Sequence, residues 1–337
     1  SAAEAAREAL HYKPGKRNLE MALSQAYQRL GYQVATEGNW EEARDYWQRA
    51  YRLEDGSFRL IYNLALACEK EGEYIEAAEN WRETLRRRPR RDDDPDAMDD
   101  AQVAQLWKRA AEAYVKAGEY DEAIHVYRQA VKYNPDSLET RMALVDSLQD
   151  NGQFQAAINE IERILDDNPD YIPALMRMGE VVANSRYWWQ SDGAVRYWER
   201  VLELDPRHHG AQQALFDYWM NQAENAEYWQ DYDAAERDYE EALTYIPDHP
   251  EAFSALGALY LFQGEEEEAL RCFRRAMEHA GHNLAPYRII ISAWLADRNE
   301  DAAWALMDRV EKKLGDVPLS FYILLGGFCI ELNQQEM

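Results

Sequence analysis

An alanine followed four residues later by a bulky apolar residue recurs from the first fifth of this chain almost to its end. The alanines are Ala43, Ala77, Ala123, Ala157, Ala194, Ala235, Ala269 and Ala303, and their partners are Trp47, Trp81, Tyr127, Ile161, Trp198, Tyr239, Phe273 and Met307. Four of the seven intervals between alanines are 34 residues, and the others are 46, 37 and 41. Residues four apart share one face of an α-helix. A fixed period containing that pair therefore describes a helical unit repeated in tandem, each copy burying its face on its neighbours. The three long intervals mark insertions in an otherwise constant unit.

The chemistry inside one unit is plain in Gly118-Glu119-Tyr120-Asp121-Glu122-Ala123, followed by Tyr127, Ala130, Tyr133 and Pro135. Glycine lets the chain turn between two helices, and the acidic residues suit the positive end of the second helix dipole. The aromatic two residues after the glycine is expected to pack back on the first helix, and the proline ends the unit. The same order appears at Gly72-Glu73-Tyr74 with Pro89, at Gly152-Gln153-Phe154 with Pro169, and at Tyr232 with Pro247; parts of it recur at Gly38-Asn39-Trp40 and Gly264-Glu265-Glu266.

Ahead of each turn a small residue recurs, in Leu30-Gly31, Leu64-Ala65, Ala110-Ala111, Met178-Gly179 and Leu256-Gly257. Period, turn and small-residue step together resemble the tetratricopeptide repeat, a 34-residue helix-turn-helix unit. The resemblance implies an all-α, right-handed superhelical solenoid of about eight units with partial units at both ends. Leu144-Val145 departs from the small step, and Arg298-Asn299-Glu300 lacks the turn glycine, so the fourth and eighth units are expected to be less regular.

On this pattern residues 1–14 form a partial repeat helix, 16–89 repeats one and two, 90–100 a charged insertion, and 101–169 repeats three and four. Irregular, aromatic-rich repeats five and six follow over 170–247, repeats seven and eight over 248–316, and an unpaired apolar helix over 317–337. A chain that opens and closes on half-units is expected to be a fragment of a longer protein or to cover its open ends with another subunit, as a homo-oligomer would.

The 63 acidic against 37 basic residues give a net charge of −26, which disfavours sequence-independent nucleic-acid binding, since neutralising phosphates needs a basic surface. No run of 18 uncharged apolar residues is present, so this segment is not expected to insert into a membrane. The compartment stays open: cytoplasmic by default, with periplasmic or secreted settings compatible once signals are processed. Cys68, Cys272 and Cys329 lie far apart without metal-ligand spacing and read as packed free thiols. His208-His209 sits in an inter-repeat turn, where adjacent side chains diverge too far to share an ion. No phosphate loop, nucleophile elbow or metalloprotease motif appears. The expectation is a chain with no catalytic residues, cofactor or metal.

Two insertions carry the remaining signal. Arg86-Arg87-Arg88-Pro89-Arg90-Arg91 runs into Asp92-Asp93-Asp94-Pro95-Asp96, either a self-neutralising linker or a dock for a charged partner. The second puts Tyr187, Trp188 and Trp189 on an extended turn, and the third lengthens the next first helix by seven residues, ending near Tyr228 and Trp229. Clustered aromatics of this kind are frequent interface hot spots, while packing onto the long helix is the alternative.

The resemblance further implies that first helices line the ligand face. The expected contacts to a protein or peptide partner are Arg59, Tyr62, Asn63, Lys108, Arg109, Glu112, Met142, Asp146, Met176 and Glu180, together with Tyr187, Trp188, Trp189 and Trp229. The family's carboxylate clamp for chaperone tails is matched only at Asn63 and Arg109, with Gln28 and Tyr32 at the other clamp positions, and its asparagine ladder is absent. The chain thus reads as a non-catalytic scaffold or adaptor. The competing reading is the substrate-recruiting or regulatory arm of a larger enzyme or signalling protein whose catalytic domain lies outside these residues.

Overall fold

A computed structural model describes residues 17–53, 57–89, 97–183 and 192–315, and structural statements below concern these residues. Among them the chain forms sixteen α-helices and no strand. The first eight are α1 (Arg17–Thr36), α2 (Trp40–Leu53), α3 (Phe58–Glu71), α4 (Tyr74–Arg87), α5 (Asp100–Ala117), α6 (Tyr120–Tyr133), α7 (Leu138–Asp150) and α8 (Phe154–Asp167). The others are α9 (Ile172–Ala183), α10 (Asp192–Leu204), α11 (His209–Tyr228), α12 (Tyr232–Tyr245), α13 (Pro250–Gln263), α14 (Glu266–His279), α15 (Leu284–Ala296) and α16 (Glu300–Leu314). Two compact units result, Ser1–Ala174 and Leu175–Met337. In the first, each helix from α1 to α8 packs on the next; in the second, α10 to α16 do the same and α13 also packs on α15. No described helix is long and apolar enough to cross a membrane.

All eight alanines are buried, and so are seven of their partners; Met307 is half-buried. What each partner meets depends on the small step of the preceding helix. A Cβ built on Gly257 would stand 2.6 Å from the Phe273 ring, and one on Gly31 or Gly179 would overlap the indole of Trp47 or Trp198. Aromatic anchors thus require glycine or alanine opposite, as Ala223 does for Tyr239 in one buried cluster. Where the step is β-branched the anchor loses its ring: Val145 accompanies Ile161, and Ile291 packs in a cluster with Met307. The volume of the pair is held roughly constant, as close packing demands.

The turns within units share one hydrogen-bond scheme. The residue after the turn donates its N–H to a carbonyl five back, as in Glu73 to Cys68, Glu119 to Tyr114 and Glu265 to Tyr260, the pattern of a left-handed helix cap. Glycine occupies the left-handed position at 38, 72, 118, 152 and 264, whereas Gln230 and Arg298 hold it with φ 61°. The eighth unit is therefore not irregular at its turn, contrary to expectation: Asn299 donates to Trp294 just as Glu73 donates to Cys68. The fourth turn, at Gly152, also keeps the pattern. One other expectation fails, because Phe154 does not pack back but stands 58% exposed.

Helix starts are capped individually. Asp99 accepts the Gln102 N–H at 2.7 Å while the Gln102 side chain accepts the Asp99 N–H at 3.0 Å, a reciprocal box that opens α5 after the charged insertion. His208 caps α11, its Nδ1 accepting the Ala211 N–H at 3.1 Å. Cys68 is a buried and Cys272 a half-buried free thiol, both pushed up to about 11 chiefly by burial; Cys329 lies outside the described residues. Charged side chains then tie helices both between and within repeats. Arg44 on α2 donates to Glu71 of α3 at 2.7 Å and to Glu76 of α4, and Arg141 on α7 is buried against Glu160 of α8 at 2.7 Å.

Candidate functional site

In the first unit, several residues expected to face a partner make contacts within the chain. Asn63 is 5% exposed and its Nδ2 donates to the Tyr32 hydroxyl at 2.8 Å. Tyr32 is the residue that stands in a carboxylate-clamp position, so the one matching asparagine is spent within the chain. Lys108 is 8% exposed, with Nζ 2.5 Å from Glu139 and 3.7 Å from Glu112. Both side chains stand at seams between repeats, Asn63 toward Tyr32 and Lys108 toward Glu139.

Arg109 reaches from α5 across to α3 and α4. Its guanidinium lies 4.3 Å from the centre of the Trp81 ring and donates to Glu69 Oε2 at 3.0 Å, the same oxygen that accepts the Trp81 indole N–H at 3.2 Å. Tyr62 meets that indole edge-on at 4.9 Å. A cation on an indole face with a shared carboxylate is a self-contained motif; it holds three helices in register and leaves the guanidinium partly accessible. Arg59 and Asp146 are exposed and Met142 is half-buried.

In the second unit Met176 is half-buried, its carbonyl accepting from the Trp198 indole at 3.4 Å, and Glu180 accepts from Arg177 at 3.0 Å. Tyr187, Trp188 and Trp189 lie outside the described residues, as do 90–96 of the charged insertion. Trp229 is 77% exposed at the end of α11, which runs 20 residues where α12 and α13 run 14. The extra residues lie toward its His209 end, because Ala223 precedes the turn at Gln230 by seven residues as Gly257 precedes Gly264; Tyr228 and Trp229, edge to face at 5.3 Å, stand at its other end.

Residues of this end help to line two grooves. One, of about 1130 Å³, is lined by Asp217, Asn221, Asn225, Asp231 and Asp238, with Trp229 on its wall. The other, of about 600 Å³, has a floor of Ala258, Leu259 and Ala293, walls of Tyr232 and Phe262, and Glu227 and Asp297 at its rim. Phe262 is 70% exposed and its ring lies 5.1 Å from that of Tyr232. Phe262 was not among the expected site residues, although an aromatic directly before the turn pair Gln263-Gly264, off the buried face of α13, was a usable signal. Burial raises the carboxyls of Glu227 and Asp238, the former opposed by a hydrogen bond from the Tyr239 hydroxyl and the latter by the nearby charge of Arg237. Among the described residues no group of three or more His, Cys, Asp or Glu could hold a metal ion.

A repeated helix pair, each copy packed on the next within its unit, defines a helical-repeat protein. A family model described as tetratricopeptide repeat matches residues 114–178 and 230–290, and one described as a domain of unknown function (DUF6340) matches 29–107. The chain is 32% identical over 81 residues to tetratricopeptide repeat protein 37 of Xenopus laevis, covering 24% of this chain and 5% of that protein. It is 31% identical over 101 residues to superkiller complex protein 3 of Homo sapiens, 29% of this chain and 6% of that one. Among solved structures, a tetratricopeptide repeat protein from Parabacteroides merdae is 16% identical with a TM-score of 0.43, covering 81% of this chain and 98% of that one. Over residues 114–178 and 230–290 the chain thus carries tetratricopeptide repeats. Its matched stretches span 5–6% of the length of these curated relatives.

Proposed function

We propose that this chain is a non-catalytic interaction module that holds a protein partner through the second unit, around the C-terminal end of α11. Tetratricopeptide repeats generally mediate protein–protein interaction, and the family leaves specificity to the exposed positions of each member. The observation that carries the reading is Trp229. A large indole left 77% exposed beside two grooves is the kind of side chain that supplies most of an interface's affinity when covered. The first unit offers less, because Lys108 and Arg109 already pair with carboxylates of adjacent repeats.

The test is affinity capture from the native lysate with the unaltered chain and with Trp229→Ser and Phe262→Ser, circular dichroism being run on each. Partners retained by the unaltered chain and lost with both variants, at unchanged helicity, support the reading. Partners retained by both variants overturn it.

A further inference from the structure

We propose that the occupant of the two grooves is a peptide segment carrying basic side chains next to an apolar anchor, the basic part lying beside Trp229 and the anchor entering between Tyr232 and Phe262. This rests on the reading of the α11 end as the partner site and gives that partner its chemistry.

Three observations converge. First, charge is unbalanced in one direction. Carboxylates line both grooves, at Asp217, Asp231 and Asp238 on one side and Glu227 and Asp297 on the other, and no Lys, Arg or His lines either among the described residues. The face of the first unit is different, since there Lys108 and Arg109 sit against Glu139 and Glu69. Second, the groove carboxylates have unspent capacity. Asp217 accepts from the Gln213 amide, and Asp231 accepts the Ala234 N–H with one oxygen; an ammonium or guanidinium group would satisfy what remains. Third, the aromatic geometry fits a cation and an apolar group at adjacent places. Trp229 presents an open indole face, the best of the aromatic rings for a cation. One turn away, the Tyr232–Phe262 pair stands over an alanine and leucine floor with no polar side chain in it. Arg109 over Trp81 shows the same recognition already made inside this chain, at 4.3 Å with Glu69 as the shared acid.

The experiment is selection of a displayed library of random 12-residue peptides on the whole chain at physiological salt. Enriched peptides are then measured by fluorescence anisotropy against Trp229→Ser, Phe262→Ser, the pair Asp217→Asn and Asp238→Asn, and Glu122→Gln on an exposed site of the first unit. The proposal expects enriched peptides to pair Lys or Arg with a nearby aromatic or large aliphatic residue. It expects Trp229→Ser and Phe262→Ser each to weaken binding by about ten-fold or more. The double amide variant should weaken it at low salt and flatten its salt dependence, with Glu122→Gln without effect. Enriched peptides that lack basic residues but still depend on Trp229 sink the chemistry and leave the site standing. Basic peptides equally sensitive to Glu122→Gln, and indifferent to Trp229→Ser, show only attraction to a chain of net charge −26 and sink both. No enrichment also sinks both. Binding that appears only after residues 184–191 are replaced by a Gly-Ser linker makes the chain's own segment the occupant, and a mass that doubles with concentration unless Trp229 is replaced makes it a second copy; either result overturns the proposal.

Discussion

Phe273 occupies the space that a side chain on Gly257 would need: a Cβ there would stand 2.6 Å from the ring. Gly257→Ala should therefore destabilise the second unit by ~1–3 kcal/mol through overpacking. The pairing of Val145 with Ile161 elsewhere in the chain indicates the remedy. Gly257→Val combined with Phe273→Ile should cost clearly less than the sum of the two single changes in a urea-unfolding cycle. Additive losses would show that the size match is not what fixes these positions.

Gln230 and Arg298 hold left-handed backbone at φ 61° where five other repeats have glycine. A side chain in that region costs ~1–2 kcal/mol, of which glycine's extra chain freedom returns part when unfolded. Gln230→Gly and Arg298→Gly should each raise stability by about 0.5–1 kcal/mol, and Gly72→Ala should lower it by a similar amount. Thermal unfolding followed by circular dichroism reads all three, and a loss of stability on placing glycine at both positions would refute the strain.

His249 stands at the entry to α13 with its ring 4.3 Å from that of Phe216 and its buried Nδ1 without a hydrogen-bond partner among the described residues. Burial lowers its pKa, against the smaller opposing charges of Glu251 and Asp217. A histidine held below its unfolded value binds its proton more weakly when folded. Its contribution is therefore complete above about pH 6.5 and is lost as pH falls from there through the folded value. The drop in melting temperature between pH 7.5 and 5.5 should be smaller in His249→Gln than in the unaltered chain; an equal drop would assign the loss to the carboxylates instead.

Asn63 and Lys108 act within the chain. Asn63→Ala leaves the Tyr32 hydroxyl without its donor and should cost about 1 kcal/mol. Trp229→Ser, at an exposed site, should stay within about 0.5 kcal/mol. The two variants should separate in the reverse sense in peptide binding, where only Trp229→Ser matters. Comparable effects of both on stability would show the Trp229 indole to be a packed side chain.

The helices and their anchors were legible because an alanine with a large residue four places on can only be a buried helical stripe, and every such alanine is buried. The ligand face was less so. Lys108 and Asn63 lie at first-helix positions that a single repeat leaves open, but their partners Glu139 and Tyr32 are 31 residues away in neighbouring repeats. Whether such a charge faces solvent or closes a seam depends on what the adjacent copy carries at one position, which the period does not specify. The grooves were illegible for a related reason: they are lined by residues of several helices, Asp217 and Trp229 with Asp238 in one and Glu227 with Phe262 and Ala293 in the other. The lengthened interval revealed the extra residues and Trp229, but not which walls they would stand between.

The size match between step and anchor has a consequence for how such a chain diversifies. Because Gly257 and Phe273, or Ile291 and Met307, lie inside a single copy, recombination that exchanges whole repeats carries both halves of each match intact. A crossover falling between them would join a β-branched step to an aromatic anchor and produce an overfilled hybrid. Genetic exchange is thereby channelled to the junctions between copies, and the array can change its length and its surface while each inherited pair keeps its fit.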